Sequence, residues 1–277
     1  DIFIYMKNTF LKVVSLLFIL VITVFVIHPH HAFAATITVN DIGDDSDATP
    51  GDGICETVLG NNTCTFRAAI QESNATIGVI DNIDFNISGS GAHIITLTSP
   101  LTSINDPVTI DGTTQDGSSC GDLWGGISPV WNIVIDANNL SDSHSVGIDI
   151  EAPDTIVKGI EVKNVGGGTF AGYGIHGSRD NMVVQCSYSH NNWGGIGTQG
   201  NNALLGGTNP GEGNLSNLNR GFGITSYGSN NRIQGNFIST DVTGMSAAPN
   251  ENNSVYIELG DGNIVGGLTP GARNLIS

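Results

Sequence analysis

The sequence predicts an all-β solenoid, a parallel β-helix of short strands stacked coil upon coil, with one short helix at its N-terminal end. Three observations carry this. Gly-Ile pairs stand at Gly147-Ile148, Gly174-Ile175, Gly195-Ile196 and Gly223-Ile224, 27, 21 and 28 residues apart. The stretch Asn231-Arg232-Ile233-Gln234-Gly235-Asn236-Phe237-Ile238 alternates polar and aliphatic residues, turns at Gly-Asn and begins again. Weaker copies lie at Asn181–Val184, Asn202–Leu205 and Asn263–Val265. A unit this short cannot bury its own aliphatic face and must stack on copies of itself. The third observation is composition. The 277 residues include 38 Gly and only 9 Lys or Arg, with frequent Val and Ile, as short strands joined by many turns require. A right-handed coil is expected from the preference of parallel crossovers, a preference carried over from crossovers that are helices, as these are not.

The chain opens on a leader pattern. Residues 1–5 precede the expected start Met6 and read as an over-read frame. Lys7 and Lys12 make a basic region, and Val13–Ile27 is an apolar run of 15 residues, short of the ~20 a spanning helix needs. Ala32-Phe33-Ala34 then fits an A-x-A cleavage site, with Ala35 as the new N-terminus. Residues 1–34 are therefore expected to be a signal peptide. Export to an oxidising compartment follows, with no membrane insertion once the leader is removed.

Residues 35–82 read as an N-terminal cap. Thr36–Val39 alternates as a strand does. The acidic segment Asp41–Gly53 follows, in which Asp44, Asp45, Asp47 and Asp52 are candidate ligands for a hard cation such as calcium. It lacks EF-hand spacing, and Asp-Gly pairs also make ordinary turns. Cys55 and Cys64 bracket a turn at Gly60–Thr63, so a disulfide between them closes a short loop, and pairing of neighbours leaves Cys120 with Cys186. Thr65–Asn74 is the one helical stretch. Phe66, Ala69, Ile70 and Ser73 share a face, Thr65 is the N-cap residue and Asn74 the stop. Such a helix has a structural task, which is to cover the open edge of the strand stack.

At this point the chain resembles a family. Cys64-Thr65-Phe66-Arg67-Ala68-Ala69-Ile70-Gln71-Glu72-Ser73-Asn74 is similar to the C-S-L-R-E-A-I…A-N signature that opens many bacterial secreted parallel β-helix proteins, with Ala68 where the signature carries an acid. Pro50–Cys55, Asp106–Gln115 and Gly266–Ser277 resemble the same family. The resemblance implies a pectin-lyase-like solenoid, an extracellular or cell-surface life and a bacterial source. It implies no particular reaction.

Residues 83–277 are the coils, beginning with strands at Ile83–Phe85, Ile94–Leu97, Val108–Asp111 and Ile133–Asp136. Gly117–Pro129, with Cys120 and Trp124, reads as a protruding loop. Gly166-Gly167-Gly168 is a turn and not a phosphate loop, since no Lys-Ser/Thr follows. Gly206–Gly211 recurs as Gly266–Gly271, and Asn214 as Asn274, 60 residues on, about two coils. The pattern breaks off inside such a unit at Ser277, so further coils or domains of a longer chain are expected.

Equal register in stacked coils forms columns with neighbours ~4.8 Å apart. Aligning the Gly-Ile marks, Ile148, Ile175, Ile196, Ile224 and Ile257 point inward. Asp149, His176, Gly197, Thr225 and Glu258 then point outward, followed by Glu151, Ser178, Gln199, Tyr227 and Gly260. Asp149, His176, Gln199 and Tyr227 are thus candidate ligand-binding residues. Asp149, Glu151 and His176 are the weaker candidates for acid–base chemistry, because a carboxylate beside an imidazole is its minimum set. Solvated polar residues on an outer sheet face give the same pattern.

Past residue 34 the chain carries 7 basic against 25 acidic residues, a net −18. Such a surface repels phosphate backbones and anionic lipid, so nucleic acid is not an expected partner. The marks of polygalacturonase-like enzymes are reduced to echoes in reversed order, Arg232-Ile233-Gln234 before Ser239-Thr240-Asp241. The calcium aspartates and arginine of pectate-lyase-like enzymes, nucleophile elbows and zinc spacings are not found. The expectation is a non-catalytic scaffold, adhesin-like or binding polysaccharide or cell-surface glycan. The alternative is a polysaccharide lyase or glycoside hydrolase working around Asp149 and His176.

Overall fold

The computed structural model describes residues 34–140, 146–166 and 172–277. Residues 1–33 of the expected leader and the Gly167-Gly168 part of the glycine turn lie outside the described residues. Residues Ala34–Ser277 form one compact unit. Among the described residues no helix is long and apolar enough to cross a membrane.

Nearly all regular structure is parallel strand, gathered in three sheets of eight, seven and five strands, consistent with a parallel β-helix. From Ile156 the chain visits the sheets in rotation. Ile156–Lys158, Val183–Gln185, Leu204–Gly206, Arg232–Gln234 and Ile264–Val265 fall in sheet 1. Glu161–Lys163, Tyr188–His190, Leu215–Asn217, Phe237–Ile238 and Leu275–Ile276 fall in sheet 2. Sheet 3 takes Tyr173–Gly177, Gly194–Thr198, Ile224–Ser226 and Val255–Ile257, preceded by Ile148–Ile150. All four Gly-Ile marks therefore lie at sheet 3.

Alternation fixes which side chains enter the core. In sheet 1 the paired residues Ile83, Ile110, Val157, Val184, Leu205 and Ile233 form one fully buried column. Sheet 3 contributes Ile148, Ile175, Ile196 and Ile224. Each such side chain stabilises by about 1.5–3 kcal/mol relative to exposure.

The corners are held by asparagine. Asn192, Asn219 and Asn250 stand above one another, as do Asn214, Asn236 and Asn274, and Asn231 and Asn263. In each stack the side-chain oxygen accepts the backbone N–H one coil back: Asn192 N–H to Asn219 Oδ1 at 3.1 Å, Asn214 N–H to Asn236 Oδ1 at 3.0 Å, Asn231 N–H to Asn263 Oδ1 at 2.8 Å. The side-chain nitrogen donates to a carbonyl further back, as Asn236 Nδ2 does to Leu205 O at 2.8 Å. Backbone that leaves the sheet ladder at a corner is thereby satisfied without water. These stacks also explain the glycine of the Gly-Ile mark. A Cβ on Gly195 would lie 2.1 Å from Ser216 Oγ and 2.9 Å from Asn219 Nδ2, so the corner leaves no room for a side chain.

At the N-terminal end, Thr36–Val39 is the terminal strand of sheet 1, paired with Asp81–Phe85. The helix runs Phe66–Ala75, capped by Thr65, whose hydroxyl accepts the Ala68 N–H. It packs on those two strands, with the Phe66 and Phe85 rings 5.6 Å apart. The sequence gives it one apolar face, yet Arg67, Ala68 and Glu72 are buried as well. Arg67 forks onto Asp44 at 2.8 and 3.0 Å and also donates to Ser99 O and Pro100 O. Glu72 accepts the Gly51 and Gly53 amides, each at 2.6 Å. The helix thus gathers the acidic segment around itself as well as covering strands.

Both expected disulfides are present, Cys55–Cys64 and Cys120–Cys186, each with a Cα separation of 5.2 Å. The second joins the protruding loop to the coils. That loop folds back through antiparallel bridges Ser119–Val130 and Asp122–Ile127.

Candidate functional site

The outer face of sheet 3 carries the expected candidates, and one part of the expected register is corrected. Ile224 pairs with Val255 and not with Ile257, so Thr225 stands beside Tyr256 and Ser226 beside Ile257. Glu258 and Gly260 therefore each move out of their expected rows, and Ile257 is 39% exposed. A shift of two residues preserves the inward-outward alternation, so the apolar pattern alone could not choose between the two pairings. The bond from Ile224 N–H to Ser254 O, 2.9 Å, fixes the choice.

Asp149 and His176 are register partners as expected. His176 Nδ1 lies 3.8 Å from Asp149 Oδ1, beyond hydrogen-bond range, and Ser103 donates to Asp149 Oδ2 at 2.6 Å. Burial pushes the Asp149 carboxyl up, but the His176 imidazole and the Ser103 hydroxyl outweigh it, and the net shift is downward. Asp149 is thereby held as a carboxylate and not as a proton donor. Glu151 accepts from Ser178 Oγ at 2.6 Å and has the Arg179 guanidinium 3.8 Å away. Arg179, at the bend that follows the strand Tyr173–Gly177, adds a cation beside the Glu151 carboxylate. Asp149 and Glu151 are two residues apart at one strand, not on facing walls, and Gln199 is exposed further along.

Thr225 points outward as expected, yet it is fully buried. The Tyr173 ring lies across it. A Cβ on Gly194 or Gly197 would come within 2.5 and 2.8 Å of Tyr173 Cε1, so these glycines make the bed on which the ring lies. Thr225 Oγ1 donates to the Tyr173 hydroxyl at 3.3 Å, and burial pushes the Tyr173 phenol well up.

Tyr173 begins a band of rings that sequence reasoning missed. Its centroid is 5.3 Å from His176 and 5.8 Å from Trp193, Trp193 is 5.3 Å from Phe222, and Phe222 stacks on Tyr256 at 5.0 Å. Tyr227, the one aromatic foreseen, joins the far end at 6.2 Å from Tyr256. Each of four successive coils supplies one ring. Trp193, Phe222, Tyr227 and Tyr256 are half-buried, so each keeps part of its surface open. The signal was in the sequence: an aromatic residue stands directly before the glycines in Tyr173-Gly174-Ile175, Trp193-Gly194-Gly195-Ile196 and Phe222-Gly223-Ile224.

A second polar cluster, also missed, lies on sheet 2. His190 Nε2 is 3.0 Å from Glu161 Oε1, and Lys163 Nζ is 3.8 Å from Glu161 and 4.0 Å from Asp136. Tyr188 stacks on His190 at 4.1 Å, and burial pushes its phenol up to about 12. Every charge here has a partner within the cluster, as in a structural network.

The acidic segment distributes its four candidate aspartates among separate tasks. Asp44 binds Arg67 and Thr98. Asp47 accepts the Thr49 and Glu56 amides, and Asp52 the Ile54 amide. Asp45 is exposed and offers its carbonyl to Thr65. Among the described residues no three His, Cys, Asp or Glu side chains gather as metal ligands would.

Compared with known proteins, the chain matches no family model and no curated protein.

Proposed function

We propose that the chain is an extracellular or cell-surface scaffold, a right-handed parallel β-helix that binds glycan along the outer face of sheet 3. The observation that carries this reading is the band Tyr173–Trp193–Phe222–Tyr256, one ring per coil. Ring-to-ring distances of 5.0–5.8 Å follow the strand repeat. Partly open aromatic faces offer large, rigid, amphipathic contact area at low entropic cost, which suits the apolar faces of sugar rings. Glu258, which accepts the Tyr256 hydroxyl at 3.0 Å, and the exposed Gln199 at the end of its sheet 3 strand supply hydrogen-bonding groups for hydroxyls. Because the neighbouring charges are mainly acidic, a neutral or amino-sugar polymer fits better than a polyuronate. The two disulfides suit an oxidising extracellular compartment, and the resemblance to capped bacterial β-helix proteins agrees with it.

An enzymatic reading has one specific support, the group Asp149, His176, Glu151 and Arg179. Glycoside hydrolysis places two carboxylates across the sugar, one of them protonated. Here both lie at one strand, and Asp149 is driven toward its ionised form.

The test is a panel of neutral, amino-sugar and acidic polysaccharides, with binding measured by calorimetry and products by reducing-end and unsaturated-uronate assays. Retention without cleavage, weakened about tenfold or more by Trp193→Ala or Tyr256→Ala, is expected. Product release abolished by His176→Ala or Asp149→Ala would overturn the binding reading.

A further inference from the structure

The cavity at the N-terminal end is a different kind of site, independent of what sheet 3 binds. It encloses about 360 Å³ and is lined by Ala35, Glu72, Thr76 and Asp81 among others. Among the described residues, Glu72 and Asp81 are the only charged residues in its wall, which there carries two negative charges and no cation. Glu72 is occupied by the Gly51 and Gly53 amides. Asp81 is fully buried. Its carboxylate receives the Thr76 hydroxyl on one oxygen and, on the other, the Ala35 backbone N–H at 2.8 Å. Among the described residues no Lys, Arg or His forms a salt bridge with it. One amide and one hydroxyl are weak compensation for a carboxylate removed from water.

Ala35 is also the residue that the Ala32-Phe33-Ala34 pattern marks as a new N-terminus. The compact unit begins at Ala34, one residue from the marked bond. Ala34 and Ala35 are exposed, so the bond is open to a peptidase, whereas the next inward residue, Ile37, is buried. The Ala35 carbonyl is already fixed by the Asn82 N–H at 2.8 Å.

We propose that this cavity receives the chain's own amino terminus, created when the Ala34–Ala35 bond is cut, and that the resulting ion pair with the buried Asp81 carboxylate locks the first strand of sheet 1. In the cut, water adds across the amide. Its oxygen goes to the Ala34 carbonyl carbon, the C–N bond breaks, Ala34 leaves as a carboxylate, and Ala35 takes up the proton as an ammonium. The exporting cell's leader peptidase supplies the catalysis. The ammonium replaces one amide donor with three and brings the positive charge that the cavity lacks. Maturation thus becomes a stabilising step, because the uncut chain cannot make the pair.

The facing carboxylates favour the protonated amine, so its folded pKa is raised above the ordinary ~7.7–8.0. The stabilisation is then fully present below that value and is lost as pH rises through the folded pKa.

The full chain is to be exported from a bacterial host and its first residue read by mass spectrometry. A second full-length form carries Gly-Ser inserted between Ala34 and Ala35, so that cleavage leaves the ammonium two residues away from Asp81. The exported protein is expected to begin at Ala35. The inserted form should melt roughly 5–10 °C lower at about pH 7, and the gap should close at about pH 10 and in the Asp81→Asn background. If Asp81→Asn does not fold, the pH series on the other two forms decides. A first residue other than Ala35, equal melting temperatures at neutral pH, or a gap that persists at high pH would each overturn the proposal.

Discussion

Replacing Asn219 by Ala probes what holds the coils together. Asn219 is fully buried. Its Oδ1 accepts the Asn192 N–H at 3.1 Å, and its Nδ2 donates to Asn250 Oδ1 at 2.8 Å and to Ser189 O and Ser216 Oγ at 3.3 Å. The Ala variant leaves the Asn192 N–H in a dry corner without an acceptor, which costs about 1–3 kcal/mol. The lost Nδ2 bonds contribute about 0.5–1.5 kcal/mol each, partly offset because Asn250 Oδ1 keeps the Asn219 N–H at 2.9 Å. A total of roughly 3–5 kcal/mol follows, or a melting temperature lower by about 10 °C for a unit of this size. The exposed Asn252 is the control, since its Ala variant should stay within about 0.5 kcal/mol of the parent. Calorimetry measures the shift, and hydrogen exchange should show the Asn192 amide losing protection while the centre of sheet 1 keeps it. A shift no larger than that of the control, with the Asn192 amide still protected, would refute the ladder argument.

Four further outcomes are expected. Gly194→Val sets a side chain against the Tyr173 ring, where even a Cβ would lie 2.5 Å from Cε1, so the ring must lift; near-UV circular dichroism should change and polysaccharide affinity fall. Opening Cys120–Cys186, which spans 66 residues, should cost about 4 kcal/mol, against about 2.5 for Cys55–Cys64, which spans 9, by loop entropy; paired Ser variants compared in denaturant would expose an inverted order. Arg67→Ala leaves Asp44 buried without its partner and should cost about 3–5 kcal/mol, read by thermal melting. Asp149 has a lowered folded pKa, so its contribution is complete above the unfolded value of about 3.9 and is lost as pH falls through the folded one; Asp149→Asn should flatten that part of the acid melting profile, and an unchanged profile would count against the shift.

Most of the fold was legible because its signals are local. Alternation in Ile83–Phe85 and Val108–Asp111, the Gly-Ile marks and the Thr65 cap each act within a few residues, and each identifies an element without knowledge of its neighbours. Four cysteines allow three pairings, and the short turn between Cys55 and Cys64 pointed to the one observed. What only the tertiary structure decided lies between coils. Asparagine is a turn residue in any sequence, and it becomes a ladder only when residues such as Asn192 and Asn219, 27 apart in the chain, are brought into one column. The choice of Val255 over Ile257 as the partner of Ile224 rests on a main-chain hydrogen bond, because both residues satisfy the same alternation. Arg179 beside Glu151, and Tyr173 lying over Gly194 and Gly197, depend on the direction a long side chain takes across its neighbours. The aromatic band is the intermediate case, with Tyr173, Trp193 and Phe222 visible beside three of the Gly-Ile marks and their contact fixed only by stacking. Periodic burial is written along the chain, whereas the meeting of side chains from different coils is set by register, and register belongs to the assembled stack.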